Sequence, residues 1–318
     1  MDLAIITVSY NTRDLLADCL ESVFASLARC GLAGEVWVVD NASVDGSAAM
    51  VSRRFPQVRL VAHDRNLGFA GGNNLALRNL AIGASGQDGQ EADPRYVLFL
   101  NPDTRVVGDA LETMVGFLDE NPMVGAAGAR LVHGDGSFQH SAFAFPGLSQ
   151  IFFDFFPLHH RLLDSKLNGR YPRRFYNAGE PFAVDHPLGA ALMVRGVTLS
   201  QVGGFDERYF MYCEEIDLCR RIKAAGWDIY CSPQAEIVHL VGQSTRQFRD
   251  QMFVALWRSR FLMFEEYEGV LFRWAARRVV HFGLWTEVRR ARAAHGRGEI
   301  DSAQLEARLK AYQEVETL

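Results

Sequence analysis

Tyr96-Val97-Leu98-Phe99-Leu100 places five aromatic or aliphatic residues in an unbroken row, and the row stops at Asn101-Pro102-Asp103. A strand with no polar side is one covered on both faces, as a parallel sheet between layers of helices requires. Proline has no N–H for a ladder, so the strand ends there and leaves two polar side chains at its carboxyl edge. In open α/β sheets ligands bind at that edge. A carboxylate such as Asp103 beside a loop is an oxygen ligand for a divalent cation that also grips phosphates. Alone, Asn-Pro-Asp reads better as a turn; the rest of the chain reverses that.

The preceding residues repeat the pattern. Leu3 to Val8 reads as a buried strand closed by Ser9-Tyr10-Asn11, and Thr12 to Cys30 has helical spacing with Asn11 or Thr12 as its cap. Val36 to Val39 is a second strand ending in Asp40-Asn41, a second helix follows Ser47, and Arg59 to Ala62 is a third strand. This βαβ alternation is the signature of a Rossmann-like half. It puts Thr7, Ser9, Tyr10 and Asp40 at a common sheet edge. There Asp40 can accept the N3–H of a uracil or thymine while Tyr10 packs on a ring; its plain alternative is a helix cap or turn. Asn66-Leu67-Gly68-Phe69-Ala70-Gly71-Gly72 precedes an expected helix over Leu75 to Ile82, where glycine lets backbone N–H groups approach an anion. It is not GxGxxG after the first strand, so it does not specify a dinucleotide. Gly83 to Arg95 reads as a polar excursion without chemistry.

Beyond Asp103 come a helix through Leu118, a strand over Val124 to Val132 and a hairpin at His133-Gly134-Asp135-Gly136. Phe138 to Phe182 is aromatic without clear period, and its rings are expected to pack over the sheet. Gly189, in Leu188-Gly189-Ala190, allows close approach of a ligand. Gly204 to Arg221 is the second dense stretch: Glu214, Asp217 and Arg221 share one helix face, and Glu215 points to another. A helix dipole alone accounts for one or two acids at a helix start. It does not account for their company of a glycine-rich approach and an aromatic wall. Ile229 to Pro233 and Ala235 to His239 read as the last strands, with His239 at a strand end and Arg246 in the loop beyond.

The net charge of −5, though unevenly spread, argues against a dedicated nucleic-acid binder, and five cysteines without CxxC spacing point to a reduced, cytoplasmic protein rather than a disulfide scaffold or zinc site. With Asp2 running directly into a strand pattern, no signal peptide is expected, and no apolar run reaches the length of a membrane span. The expected domains are a catalytic 1–247 and a helical extension 248–318. Within the extension, Val270 to Arg297 carries Arg273, Arg277, Arg278, Arg289, Arg290, Arg292 and Arg297 against one acid, Glu287, interleaved with Trp274, Phe282 and Trp285. Such a segment lies on an anionic membrane, at the inner face of the plasma membrane, or packs as a bundle helix against the catalytic domain or a dimer partner.

Taken together, Thr7-Val8-Ser9-Tyr10-Asn11, Val39-Asp40-Asn41-Ala42-Ser43, Asn66-Leu67-Gly68-Phe69-Ala70, Asn101-Pro102-Asp103, Gly204-Phe205-Asp206-Glu207, Glu214-Glu215-Ile216-Asp217-Leu218 and His239 resemble the family-2 inverting glycosyltransferases, particularly the rhamnosyltransferase-like branch. The resemblance implies a glycosyltransferase-A fold: a mixed α/β sheet with helices on both faces and a nucleotide-sugar cleft, here followed by a C-terminal helical tail. It implies a dTDP- or UDP-sugar donor, with dTDP-rhamnose the first choice and a UDP-hexose the alternative, and a glycan or lipid-linked saccharide acceptor. It places Thr7, Ser9, Tyr10, Asp40, Asn66, Gly68, Asn101, Gly189 and Arg246 around the donor. Asp103 and His239 become the protein ligands of Mg2+ or Mn2+, with Asn101 replacing the first acid of the family's Asp-x-Asp. Glu215 stands where the family has its base, beside Glu214, in a pair that is more usually Glu-Asp. A nucleotidyltransferase would need a basic phosphate-gripping loop near the first strand, where only Arg13 lies. A catalytically idle nucleotide-sugar or glycan binder is the alternative from another class.

Overall fold

The computed structural model describes residues 1–80, 82, 93–157, 159–240 and 249–318. Most of the expected excursion at Gly83–Arg95 therefore lies outside the described residues, as does Arg246. In chain order the elements are β1 (Leu3–Ser9), α1 (Arg13–Cys30), β2 (Gly34–Asn41), α2 (Ser47–Arg54), β3 (Arg59–His63), α3 (Gly68–Asn79), β4 (Tyr96–Leu100), β5 (Thr104–Val106), α4 (Ala110–Glu120) and β6 (Val124–Val132). Next come β7 (Phe138–Gln139), β8 (Ala142–Phe143), α5 (Leu148–Phe155), α6 (His160–Leu163), α7 (Arg173–Ala178), β9 (Phe182–Ala183), β10 (His186–Pro187) and β11 (Ala191–Arg195). The chain closes with α8 (Gly196–Val202), α9 (Glu214–Ala224), β12 (Asp228–His239), α10 (Arg249–Tyr267), α11 (Val270–Gly296) and α12 (Ser302–Thr317).

One mixed sheet runs β3-β2-β1-β4-β11-β6-β12-β5. Its first four strands are parallel, with Ser9 opposite Asp40 and Ile6 opposite Phe99. All five residues of β4 are buried, as their lack of a polar side demands. β11 then enters antiparallel between β4 and β6, and β12 runs parallel to β6. The two strands expected at Ile229–Pro233 and Ala235–His239 are one, β12. Pro233 is accommodated by a register shift between Ser232 and Glu236 rather than by a break.

The described chain forms two compact units: Met1–Phe143 with Arg173–Phe210 and Glu214–Ser244, and Ala144–Pro172 with Met211–Cys213 and Thr245–Leu318. The first unit holds the sheet. Its core joins Leu3, Ile5, Leu98 and Met193 of the strands to Leu16, Leu20 and Met114 of the helices. The second unit is helical. The aromatic stretch expected to pack over the sheet divides between them. Tyr176 and Phe182 join the first unit, with Phe138 edge-on to Tyr176 at 4.9 Å. The Phe155 ring instead stacks on Trp257 of α10 at 5.1 Å, within the second unit.

Candidate active site

The carboxyl ends of β1, β2 and β4 lie side by side, and two loops there are lashed together. The Asn11 N–H donates to Ser43 Oγ at 2.9 Å, the Val44 N–H to Asn11 Oδ1 at 2.8 Å, and the Arg13 N–H to Asp45 Oδ2 at 2.8 Å. Asn11 and Ala42 take left-handed backbone at φ 53° and 63°, a conformation asparagine adopts readily and alanine only at a cost that this cross-bracing offsets. Sequence reasoning had Asn11 or Thr12 as a helix cap. Thr12 is the cap residue but its hydroxyl bonds Ser9 Oγ at 2.9 Å, which fixes Ser9 at the edge.

Asp40 makes the turn contact of its plainer reading and keeps one oxygen uncommitted. Its Oδ2 accepts the Ser43 N–H at 3.0 Å, a turn contact, while Oδ1 is buried with no hydrogen-bond partner. Thr7 Oγ1 and Asn41 Oδ1 are likewise buried and unpartnered among the described residues. Buried polar atoms are ordinarily satisfied, so these three leave hydrogen-bonding capacity at one sheet edge that a ligand could use.

Asn66 and Gly68 have another occupation. The helix begins at Gly68, seven residues before the expected start, so the glycines lie inside it. The Gly68 N–H donates to Asn66 Oδ1 at 2.9 Å and the Phe69 N–H to the Phe210 carbonyl at 2.8 Å. Two N–H groups at this helix start are thus spent on protein and do not reach an anion. Gly68 is glycine because its φ is +74° and a Cβ would overlap the Phe210 carbonyl.

Asp103 and His239 come together. β5 pairs with β12 so that Thr104 faces His239, and the Leu240 N–H donates to the Asp103 carbonyl at 2.9 Å. Asp103 Oδ1 lies 3.5 Å from His239 Nε2, with both side chains buried. Gln139 of β7 reaches His239 Nδ1 through its amide at 3.0 Å. Sequence reasoning missed Gln139: the hairpin at Gly134 predicted its strand, but only the order β6-β12 brings that strand to His239. Among the described residues no three His, Cys, Asp or Glu side chains cluster as a metal site. One carboxylate and one imidazole do suit a cation whose remaining positions are filled by water and donor phosphates.

Glu214 and Glu215 open α9, immediately after Tyr212 and Cys213, which hold consecutive left-handed conformations at φ 70° and 68°. Strain of that kind persists where its surroundings hold it, commonly at functional sites. Burial, reinforced by the charge of Glu215, holds the Glu214 carboxyl well above the usual range. Burial pushes Glu215 up to about 7, against the opposing pull of the Glu215 and Ile216 N–H groups. Oε2 of each acid is buried without a hydrogen-bond partner. Gly189 packs on Glu215: a Cβ there would lie 3.4 Å from the glutamate Cβ and Cγ. The other face of the turn is anchored. Arg221 Nε donates to Asp217 Oδ2 at 2.9 Å, and its two terminal nitrogens donate to the Val202 and Gly204 carbonyls at 2.7 and 2.8 Å.

Residues 4–176 match the pattern of the family described as "Glycosyl transferase family 2". A curated relative from Mycobacterium tuberculosis, the N-acetylglucosaminyl-diphospho-decaprenol L-rhamnosyltransferase, is 32% identical over 240 residues, covering 71% of this chain and 73% of its own. The rhamnosyltransferase WbbL of Escherichia coli is 29% identical over 192 residues, 58% of this chain and 66% of its own. Among solved structures, the mannosyltransferase PcManGT from Pyrobaculum calidifontis, in complex with GDP-Man and Mn2+, aligns over 99% of this chain and 83% of its own. Its TM-score is 0.57 at 20% identity. GalNAc-T7 with UDP, GalNAc and Mn2+ aligns over 75% of this chain and 44% of its own, at TM-score 0.53 and 12% identity.

Proposed function

This chain belongs to glycosyl transferase family 2, and from that premise we propose that it transfers a sugar, L-rhamnose from dTDP-rhamnose first among the candidates, to a hydroxyl of a glycan or lipid-linked saccharide with inversion. The observation that carries the reading is the acidic pair opening α9, with Glu215 pushed up to about 7 and an unpartnered oxygen on each acid. A base whose pKa lies near the working pH combines the right protonation state with driving force for proton transfer.

In this reading Thr7, Ser9, Tyr10 and Asp40 hold the nucleoside, the free Oδ1 of Asp40 accepting the base N3–H. Asn101 and Gly189 line the sugar, and Arg246 completes the donor set from outside the described residues. Glu215 takes the proton of the acceptor hydroxyl. The freed oxygen bonds to the anomeric carbon from the face opposite the diphosphate, and the C1–O bond breaks with its electron pair leaving on the diphosphate. Glu214, held neutral beside it, keeps the local charge to one and so leaves Glu215 able to ionise. Asp103 and His239 would hold Mg2+ or Mn2+. When bound, such an ion supplies neutralisation of the charge building on the leaving diphosphate.

Support comes from the rhamnosyltransferases at 29–32% identity and from nucleotide-sugar enzymes of the same fold. No described helix is long and apolar enough to cross a membrane. The idle-binder reading draws on Asn101 and on the lack of a three-ligand cluster among the described residues. Titration of dTDP-rhamnose and UDP-hexoses with and without Mn2+, followed by release of free nucleoside diphosphate, separates the cases. Tight dTDP-rhamnose binding with slow Mn2+-stimulated release is expected. Binding of a UDP-hexose alone would replace the donor, and binding without any release would leave a binder.

A further inference from the structure

We propose that the outward face of α11 is a docking surface for an anionic lipid bilayer. The inference concerns the helical unit alone and does not depend on what the acidic pair does. α11 turns Ala276, Val280, Gly283, Leu284 and Ala291 inward. Gly283 lies so close to the Phe155 ring that a Cβ would overlap it, so this side is committed to packing within the unit. The opposite side presents Leu271, Trp274, Arg278, Phe282, Trp285 and Arg289, at steps of three and four residues. Leu271 is 84% exposed, Trp274 60%, Phe282 54% and Trp285 51%. An exposed stripe of two tryptophans and a phenylalanine exceeds the scattered apolar residues of an ordinary surface. From Leu271 to Arg292 it is about 30 Å long. Phe282 stacks on Phe156 at 5.4 Å, and Phe156 packs tilted against Phe152 at 4.8 Å, so the apolar surface continues beside α5.

Charge identifies the occupant. Arg277, His281 and Arg290 pair with Glu265, Glu316 and Glu287. No carboxylate pairs with Arg278, Arg289 or Arg292 among the described residues. Arg278 lies 5.6 Å from the Trp274 ring centroid and Arg289 4.4 Å from that of Trp285. Each guanidinium is thus carried at the level of an indole, the arrangement that suits a headgroup layer above acyl chains. A second copy docking through the same face would add its own Arg278, Arg289 and Arg292 to a surface whose nearby acids Glu265 and Glu316 are already paired with Arg277 and His281. An anionic surface satisfies rings and cations together.

The test is sedimentation of the full chain with phosphatidylcholine vesicles, with and without phosphatidylglycerol, at low and high salt. Binding to the phosphatidylglycerol vesicles, release at high salt and a blue shift of tryptophan emission are expected. One arginine near an anionic surface is worth about fivefold in affinity, so Arg278→Gln/Arg289→Gln/Arg292→Gln should bind about a hundredfold more weakly. Trp274→Ser/Trp285→Ser should weaken binding to the phosphatidylglycerol vesicles at low salt. All substituted residues are exposed, and unchanged dTDP-sugar affinity in both variants would show that the fold is intact. Failure of the wild type to bind any dTDP- or UDP-sugar would sink the transferase reading and leave this result standing. No binding by the wild type, equal binding to neutral vesicles, undiminished binding by the arginine variant, or a concentration-dependent dimer lost in that variant would each overturn the proposal.

Discussion

Arg221→Met should destabilise the sheet-bearing unit and disable the acidic turn together. Asp217 is 3% exposed and Arg221 28%, and the guanidinium bonds that carboxylate through two nitrogens while donating to the Val202 and Gly204 carbonyls. Removing one partner of a buried pair costs about 3–5 kcal/mol, because the other charge stays behind in a medium that cannot solvate it. Partial access of Arg221 to water puts this case near the lower end, about 3 kcal/mol. Methionine preserves most of the stem, so the loss belongs to the guanidinium rather than to a cavity. At about 2–4 °C per kcal/mol the melting temperature should fall by about 6–12 °C. Arg221→Lys keeps the charge but not the fork and should lose about half as much. Urea unfolding followed by circular dichroism gives the stability, and nucleotide affinity with steady-state turnover gives the function. Turnover should fall more than donor affinity, because Glu214 and Glu215 lie in the turn that Asp217 anchors while Thr7 and Asp40 lie on other elements. A melting temperature within about 2 °C of wild type would refute the reasoning.

Gln139→Leu should weaken Mn2+ binding about 10–100-fold, read by electron paramagnetic resonance in the presence of dTDP, because His239 loses the partner that orients its ring. Glu214→Gln should flatten the pH dependence of stability. The raised folded-state pKa of this pair makes the native state bind more protons than the unfolded chain, so that contribution is complete below about pH 4.5 and declines as pH rises through about 7. Equal melting near pH 4.5 and a more stable variant at pH 8 are expected. Gly204→Ala should cost about 1–3 kcal/mol in urea unfolding, because its Cβ would crowd Asn74 and stand 3.0 Å from Leu77, and Asn74 Oδ1 already accepts the Phe205 N–H at 2.8 Å.

The parallel half of the fold was legible because each strand ends where its chemistry changes. Five apolar residues followed by Asn-Pro-Asp mark the end of a buried strand, and the same rule placed Asp40 and Asp103 at the carboxyl ends of β2 and β4. The other half was not. β11 and β12 carry the same apolar residues whichever strand they neighbour, so the antiparallel insertion of β11 has no local signal. Pro233 argued for a break that a bulge in β12 removes. The lashing of Asn11 to Ser43 and Val44, and the reach of Gln139 to His239, depend on contacts 32 and 100 residues apart. The helix at Gly68 was hidden by its own glycines, which read as loop from composition and are needed for close packing. Gly72 faces Val8, where a Cβ would meet Val8 Cγ1 at 2.8 Å. The aromatic stretch from Phe138 divided because ring content reports that burial is needed without saying against what.

Single-turnover release of nucleoside diphosphate from dTDP-rhamnose with Mn2+ and a saccharide acceptor, in wild type, Glu215→Gln and Glu214→Gln, tests the role of the acidic pair most directly. Glu215→Gln keeps the shape and removes the base, so its rate should fall about 10²–10⁴-fold with donor affinity unchanged. The wild-type rate should rise with pH to a plateau above about 7, as Glu215 ionises. A fully active Glu215→Gln beside a crippled Glu214→Gln would exchange the two roles, and full activity in both would contradict the assignment of the pair to catalysis.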